Sequence, residues 1–316
     1  MAAIICGVDV SKKTLDGRVG LKGPSVRVER TPQGVDALMA FCHQHGAELV
    51  VMEATGGYER LPYSLLWERG MACALVNPRS VRRFAEALGF LEKTDKIDCG
   101  VISRYAEVKG IIGQQPASET QERLRALTTR LRQLTEAAVV QKNQRRLVTQ
   151  AEVLASCERT IAFLNGEMRL LEPQIANLLG SDPLWKALDA SFREIKGVAD
   201  RTVARVMAEI PEIGTLSNKA VAKLAGLAPL ANDSGQRQGR RSVRGGRSDV
   251  RSIIFVVADL ARRHNPDLAA FHKRLTEAGK PKMVVRIALA RKLLVRLNAK
   301  ARDVRSALAA KTALAA

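Results

Sequence analysis

Several residue types that often reveal a protein's function are scarce in this 316-residue chain. Aromatic residues make up only 4% of it, which argues against insertion into a membrane and against stacking on unpaired bases. No run of about 18 apolar residues occurs, so we expect no membrane-spanning helix and no membrane partner. The N-terminal residues lack the basic start and long apolar core of a secretory signal, so a cytoplasmic location is expected.

Cysteine is also sparse. The five cysteines are scattered, odd in number and never spaced as C-x-x-C, which argues against a disulfide framework and against a zinc knuckle. Cys42, His43 and His45 stand close together in the sequence, but they fall at the polar end of a predicted helix. We therefore interpret the cysteines as small buried hydrophobic residues.

Positive charge is abundant and unevenly distributed. The chain has 51 Lys and Arg residues against 32 Asp and Glu residues, a formal net charge of +19. Residues 191–316 hold 26 of the basic residues but only 10 of the acidic ones. So basic a surface favours nucleic acid as a partner, because each neutralised phosphate releases condensed counterions. Charge alone does not distinguish this partner from an anionic membrane or from a solubilising role.

The first part of the chain predicts a mixed α/β sheet. Strands are predicted at residues 3–10, 14–20, 25–30, 48–54 and 71–76. Thr31 and Pro32 resemble the cap and first residue of a helix that ends near Gly46, and a second helix is predicted before the last strand. This order of elements is typical of a sheet with helices packed against it.

Apolar residues then repeat at alternating spacings of three and four. They are Leu124, Leu127, Leu131, Leu134 and Ala138, followed by Leu154, Cys157, Ile161, Leu164, Met168, Leu171, Ile175 and Leu178. This heptad pattern predicts a long helical hairpin or coiled coil that ends near Gly180. Two helices packed within their own domain and an intermolecular coiled coil that forms a dimer fit the pattern equally well.

We therefore expect three domains: an α/β domain at residues 1–114, a helical hairpin or coiled coil at 115–182, and a mainly helical domain at 183–316. The last contains a Gly- and Arg-rich loop at residues 233–251 and two amphipathic helices at 253–263 and 283–300.

Four acidic residues occupy positions that a metal-dependent nuclease of the ribonuclease H type would need. Asp9 ends the first predicted strand, Glu53 lies at the end of the fourth, and Asp95 and Asp98 share one face of a predicted helix. Ligands bind at such strand ends in α/β sheets. Carboxylates gathered there would repel one another unless Mg²⁺ or Mn²⁺ neutralised them. Each acid alone would more often be a cap, a turn residue or part of a solvated face, so the prediction depends on their combination.

Motifs along the chain resemble a known family. GVDVSKKTLD, MEATGGY, VNPRSVRRFA and KTDKIDCGVI are similar to the motifs of the DEDD-type insertion-sequence transposases, the insertion-sequence one-ten family, which are relatives of the Piv-type DNA invertases. IKGVADRTVARVMAEI, AVAKLAGLAPLANDSG and GGRSDVRSIIFVVADLA continue the match in the second half. The resemblance covers nearly the whole chain. The heptad segment matches only in its helical, heptad-patterned character and not in specific motifs.

The resemblance implies a RuvC-like (RNase H-like) first domain whose catalytic and metal-binding acids are Asp9, Glu53, Asp95 and Asp98, with Mg²⁺ (or Mn²⁺) as cofactor. It also implies that Ser234, in an N-D-S-G turn, attacks the DNA backbone and forms a transient phosphoserine link. A homo-oligomer, dimer or tetramer, is expected, in which half-sites from two protomers meet. A structured guide RNA (bridge RNA) transcribed from the element is expected to pair with donor and target DNA.

Two elements of the basic half are predicted to contact nucleic acid. Gly197, Arg201 and Thr202 belong to a stretch that resembles a helix-hairpin-helix, which presents backbone N–H groups to phosphate. The family usually has Gly at the place of Ala199, so a purely structural turn is equally open. The second element is the Gly-rich loop, with Arg237, Arg240, Arg241, Arg244, Arg247 and Arg251 as phosphate ligands.

Three functions therefore remain open on the residues alone. The first is serine-dependent, metal-assisted strand exchange. The second is a RuvC-like nuclease in which metal-activated water cuts DNA and Ser234 is only a turn residue, since N-D-S-G is strong turn chemistry. The third is a non-catalytic nucleic-acid-binding protein that uses the basic half alone.

Overall fold

The computed structural model describes residues 3–90, 95–239 and 241–315, apart from the side chains of residues 95–97 and 314–315. The chain divides into two compact units, Met1–Ala117 and Ser118–Ala316. Among the described residues, no helix has both the length and the apolar character that a membrane crossing requires. All five cysteines are buried thiols, as predicted from their spacing.

The first unit contains the predicted mixed sheet. Its strands are β1 (Ile5–Val10), β2 (Thr14–Val19), β3 (Ser25–Glu29), β4 (Leu49–Glu53) and β5 (Ala72–Val76). They lie side by side in the order β3-β2-β1-β4-β5. The first three pair antiparallel, whereas β4 runs parallel to both β1 and β5. The sheet is therefore mixed, with β1 and β4 in its interior.

Helices pack on both faces of this sheet. They are α1 (Pro32–Gln44), α2 (Arg60–Glu68), α3 (Pro78–Ala87) and α4 (Asp95–Lys109). Alternate residues of β4 separate the two cores, since Met52 packs with α1 and α2 whereas Val51 packs with α3 and α4. The Thr31 side chain accepts a hydrogen bond from the Gly34 N–H at 3.1 Å, so the predicted cap of α1 is confirmed.

The second unit is helical. Its helices are α5 (Glu119–Arg145), α6 (Ala151–Ser181), α7 (Pro183–Arg193), α8 (Asp200–Glu209), α9 (Asn218–Leu224), α10 (Ser248–Ala261), α11 (Pro266–Glu277) and α12 (Lys282–Ala315). The two heptad helices, α5 and α6, pack together, and Leu131 and Ile175 join the same core as Phe192 and Leu293. Near the turn between them, Leu147 is 86% exposed.

One predicted boundary in this unit was wrong, and one helix was not predicted. The Gly- and Arg-rich loop was expected to reach residue 251, but α10 begins at Ser248, where Asp249 places a negative charge in the first turn of the helix. A separate helix, α11, lies between the two predicted amphipathic helices. Asn265 caps it by accepting a hydrogen bond from the Leu268 N–H at 3.2 Å, and Pro266 is its first residue. Asn265 followed by Pro266 is a sequence signal for a helix start, and it could have predicted α11.

Candidate active site

Asp9 and Glu53 lie together at one end of the sheet. The strands β1 and β4 are adjacent and parallel, and Val8 pairs with Met52, so Asp9 and Glu53 follow in neighbouring positions at the carboxyl ends of the two strands. Both residues are half-buried. This is the edge at which α/β sheets generally bind ligands.

A glycine in β1 allows α4 to bring Asp98 to the same edge. A Cβ atom on Gly7 would lie 2.1 Å from the Cys99 carbonyl oxygen and 2.6 Å from the Ser103 nitrogen. The helix therefore rests directly on the strand backbone, and the Ser103 hydroxyl donates a hydrogen bond to the Ile5 carbonyl at 2.8 Å. Burial raises the pKa of the Cys99 thiol to about 12, so this neighbour of Asp98 stays protonated.

Replacing Gly7 by alanine is expected to lower the free energy of unfolding by about 1–3 kcal/mol, because α4 must move off β1 to admit the methyl group. Chemical denaturation of the full chain measures this change. The same substitution at Gly166, a helical glycine with open space around its Cβ position, is the matched control. Gly166→Ala is expected to stabilise α6 by up to about 1 kcal/mol. Equal effects at the two positions would contradict the close packing of α4 on β1.

Asp9, Glu53 and Asp98 line a single cavity of about 420 Å³, which we call the acidic cavity. Asp95 is the first residue of α4, one helical turn before Asp98, and its side chain lies outside the described residues. Among the described side chains, no three His, Cys, Asp or Glu residues form a ready-made metal cluster. Even so, the donor set is entirely carboxylate oxygen, which fits Mg²⁺ or Mn²⁺ rather than zinc.

A buried glutamate that sequence reasoning missed shapes the loop after Glu53. Glu59 is 8% exposed, and its Oε2 accepts hydrogen bonds from the Thr55 and Gly57 N–H groups, both at 2.9 Å. Gly57 has a φ of +103°, a left-handed conformation that favours glycine. The Thr55 hydroxyl also donates to the Glu53 carbonyl at 3.2 Å. Glu59 thus stabilises the turn that follows β4. The pair Gly56-Gly57 was the sequence signal that could have predicted this turn.

Ser234 lies in the second unit, exposed at the tip of a short hairpin whose two bridges pair Leu230 with Ser242 and Ser234 with Arg237; we call it the serine hairpin. The backbone N–H groups of Ser234 and Arg237 each donate to the other residue's carbonyl, at 3.0 and 2.9 Å. Gly235 follows with a φ of +54° at the first turn position, where glycine avoids strain. Ser234 is therefore positioned by backbone contacts.

The acidic neighbour of Ser234 serves the hairpin itself. Asp233 Oδ1 accepts a hydrogen bond from the Gly239 N–H at 3.2 Å. Among the described residues, no side chain is hydrogen-bonded to the Ser234 hydroxyl. The hairpin thus presents this hydroxyl to solvent without a general base of its own.

The predicted arginines of the loop divide into two groups. Arg247 donates to a backbone carbonyl of α8 at 2.6 Å and forms an ion pair with Glu212 at 2.7 Å, while Arg251 donates to the Gly245 carbonyl at 2.7 Å. These two hold the loop in place. Arg240 lies outside the described residues. The other three are exposed and form no ion pair within the described part of the chain: Arg237, Arg241 and Arg244.

The predicted helix-hairpin-helix residues lie where α7 turns into α8. Gly197 has a φ of +96°, and a Cβ atom there would lie 2.6 Å from the Ala261 Cα, so the turn packs tightly on α10. Thr202 is buried, and Arg201 forms an ion pair with Glu172 of α6 at 2.6 Å. Gly197 and Thr202 therefore pack within the unit, whereas Arg201 is exposed and paired with Glu172.

Comparison with known proteins identifies the class of protein as transposases. A family model of DEDD-type transposases, described as "Transposase", matches residues 6–151, a segment that includes all four predicted acids. A second model, described as "Transposase IS116/IS110/IS902 family", matches residues 189–273, which include Ser234. The chain belongs to this transposase family, as its motifs predicted.

Two relatives are similar over nearly their whole length. They are the pilin gene-inverting proteins of Moraxella lacunata and Moraxella bovis, each 26% identical over 305 residues. The match covers 93% of this chain and 94% of each relative. The family as a whole indicates a DNA recombinase.

Proposed function

We propose that this protein cuts and rejoins DNA strands by metal-assisted attack of Ser234 on a phosphodiester. One observation above all supports the proposal: carboxylates from β1, β4 and α4, far apart in the sequence, line one cavity at the carboxyl end of the sheet. Carboxylates gathered in that arrangement could hold the divalent metal ions that assist phosphoryl transfer.

The carboxylates would hold divalent metal. Asp9, Glu53 and Asp98, with Asp95 one turn away, are the residues that would bind Mg²⁺ or Mn²⁺. Such ions, when bound, stabilise negative charge on the phosphoryl group and on the attacking and leaving oxygens. The protein itself positions these ligands. The adjacent parallel strands β1 and β4 place Asp9 and Glu53 side by side, and the close packing of α4 on Gly7 places Asp98 beside them.

Ser234 would supply the nucleophile. Its Oγ forms a bond to phosphorus, the bond from phosphorus to one deoxyribose oxygen breaks, and that oxygen leaves as a hydroxyl with a proton. A hydroxyl of a second strand then attacks the phosphoserine, which restores Ser234 and a phosphodiester without net hydrolysis. Asp233 Oδ1 already accepts a hydrogen bond from the Gly239 N–H, so we propose that the metal-bound carboxylates of the first domain, rather than this neighbour, help to activate the serine hydroxyl.

The basic half would bind the nucleic acids. Exposed Arg237, Arg241 and Arg244 suit contacts with phosphate. A guide RNA, encoded by the same element, would then select donor and target DNA by base pairing. The helix-hairpin-helix contact, the three functional domains and a homo-oligomer, dimer or tetramer, belong to the same proposal.

A strand-exchange assay tests this function. The full-length chain is incubated with Mg²⁺, the RNA transcribed from the DNA that flanks the gene, and two labelled duplexes, one with an end of the element and one with its target. We expect strands joined between the duplexes, and loss of the product when Mg²⁺ or the RNA is omitted. Nicked strands without joined products would indicate the plain nuclease instead. Binding without any cutting would indicate a non-catalytic protein.

A further inference from the structure

The acidic cavity is also lined by arginines of a single helix. Arg79, Arg82 and Arg83 of α3 border it together with Asp9 and Glu53. The three arginines stand at positions i, i+3 and i+4, so they project from neighbouring points on the helix surface. The chemistry proposed above does not use them.

The sheet and its neighbours place α3 at this edge. The strand β5 pairs with β4 so that Glu53 lies opposite Val76, and α3 begins two residues later. The Asn77 side chain caps the helix by accepting a hydrogen bond from the Arg79 N–H at 2.9 Å. On the buried side of α3, the Phe84 ring packs edge-on against Tyr105 of α4, with centroids 5.5 Å apart. The helix is thereby held between the end of β5 and α4.

The three arginines differ in what they contact. Arg82 is half-buried and forms an ion pair with Glu86 at 3.2 Å, one turn along the same helix. Arg79 and Arg83 are exposed and form no ion pair with any residue that the structure describes. Two guanidinium groups therefore border a carboxylate-lined cavity with their hydrogen-bonding capacity available to a ligand.

A phosphodiester is the ligand that this combination suits. Carboxylates alone would repel the DNA backbone from the site at which it must react, even after metal has neutralised part of their charge. The planar guanidinium fork matches two phosphate oxygens, and such charge-assisted bonds are both strong and directional. Because Arg79 and Arg83 stand one turn apart on a helix that the fold holds in place, they can fix the position of a strand as well as attract it.

We propose that Arg79 and Arg83 bind phosphate oxygens of the DNA strand that enters the acidic cavity and so set that strand against the carboxylates. This inference rests on the proposed function. It assigns two further substrate-binding residues to the first unit, whereas the charge of the chain is concentrated in the second.

Methylphosphonate substitution tests the contact. In the duplex that the wild-type chain cuts, each phosphate near the cut site is replaced in turn by a neutral methylphosphonate, and single-turnover cleavage is measured. Loss of one charged contact is expected to slow wild-type cleavage by about tenfold to a hundredfold at one or two positions. Arg79→Ala or Arg83→Ala is expected to cut the unmodified duplex more slowly by the same tenfold to hundredfold. In each variant, methylphosphonate at the phosphate that the missing arginine would contact should slow cleavage little further.

Two further variants make the result decisive. Arg104→Ala removes an exposed arginine of the first unit that pairs with Glu107 and does not border the acidic cavity, and its cleavage profile should match the wild type. Arg83→Lys keeps the charge but loses the fork, so it should recover only part of the rate. A thermal unfolding midpoint equal to that of the wild type shows that each variant is folded.

The inference and the proposed function fail in different ways. If the wild type cuts DNA but the arginine variants behave like Arg104→Ala, or if methylphosphonate slows wild type and variants equally at every position, the arginine contact is overturned and the function stands. If the wild type neither cuts nor joins DNA, the proposed function itself is overturned.

Discussion

Replacing Glu53 by glutamine is expected to slow DNA cleavage by about a thousandfold, which corresponds to the several kcal/mol that metal ions contribute to transition-state charge stabilisation. Glutamine has nearly the same size and shape, so the end of β4 should pack as before, with Val51 and Met52 still buried on opposite faces. What changes is one negative charge in the acidic cavity. A neutral amide oxygen is a much weaker ligand for Mg²⁺ than a carboxylate.

The measurement is single-turnover cleavage of a labelled duplex over a series of Mg²⁺ concentrations, with DNA affinity measured in parallel. Glu68→Gln removes an exposed charge of the same unit outside the acidic cavity and serves as the matched control. Affinity should change little in Glu53→Gln, because the arginine-rich half supplies most of the attraction for DNA. Asp98→Asn should reproduce the loss of cleavage, since its side chain reaches the same cavity from α4. Normal cleavage in either cavity variant would end the metal-site proposal.

Ser234→Ala is expected to abolish the covalent protein–DNA adduct, because the substitution removes the only atom that could bond to phosphorus at that position. The hairpin should survive, since its contacts at Ser234 are made by the backbone N–H and carbonyl groups. Labelled DNA that remains attached to the denatured protein, with the modified peptide then identified by mass spectrometry, measures the adduct. Binding of the uncut duplex is expected to stay at the wild-type level.

Ser242 provides the control within the same hairpin. It is exposed and contacts Leu230 through its backbone, so Ser242→Ala removes a comparable hydroxyl without altering the turn. Adduct formation should persist in this variant. A wild-type chain that cuts DNA without forming any adduct would instead favour attack by water, and an adduct that persists in Ser234→Ala would point to another nucleophile.

Local chemistry made much of the first unit predictable. The strands β1, β4 and β5 follow from short apolar segments, and β2 and β3 follow from the two short segments on either side of the Gly23-Pro24 turn. The helix α1 follows from the cap at Thr31 and the proline after it. Asp9 and Glu53 could be paired from the sequence alone, because each closes a predicted strand and carboxyl ends of parallel strands meet at one edge of a sheet. The heptad spacing likewise predicted α5 and α6, since helical periodicity depends only on neighbouring residues.

Roles that depend on distant partners could not be predicted in this way. Arg247 and Arg201 carried the same charge signal as the other arginines, yet Glu212 and Glu172, far away along the chain, engage them in ion pairs. Glu59 has the sequence character of an ordinary surface residue, and only the fold buries it against the Gly-Gly turn. Charge and periodicity are properties of a residue and its neighbours, whereas pairing and burial are properties of the folded chain.

The amino-acid sequence by itself therefore determined the family, the strands of the first unit, the two heptad helices, and the identity of the candidate acids and serine, because motifs and periodicity depend on consecutive residues. Only the tertiary structure decided that Asp9, Glu53 and Asp98 share one cavity, that Gly7 admits α4 to it, and that Arg79 and Arg83 border it. Those facts depend on which distant segments the packing of the sheet and its helices brings within contact distance.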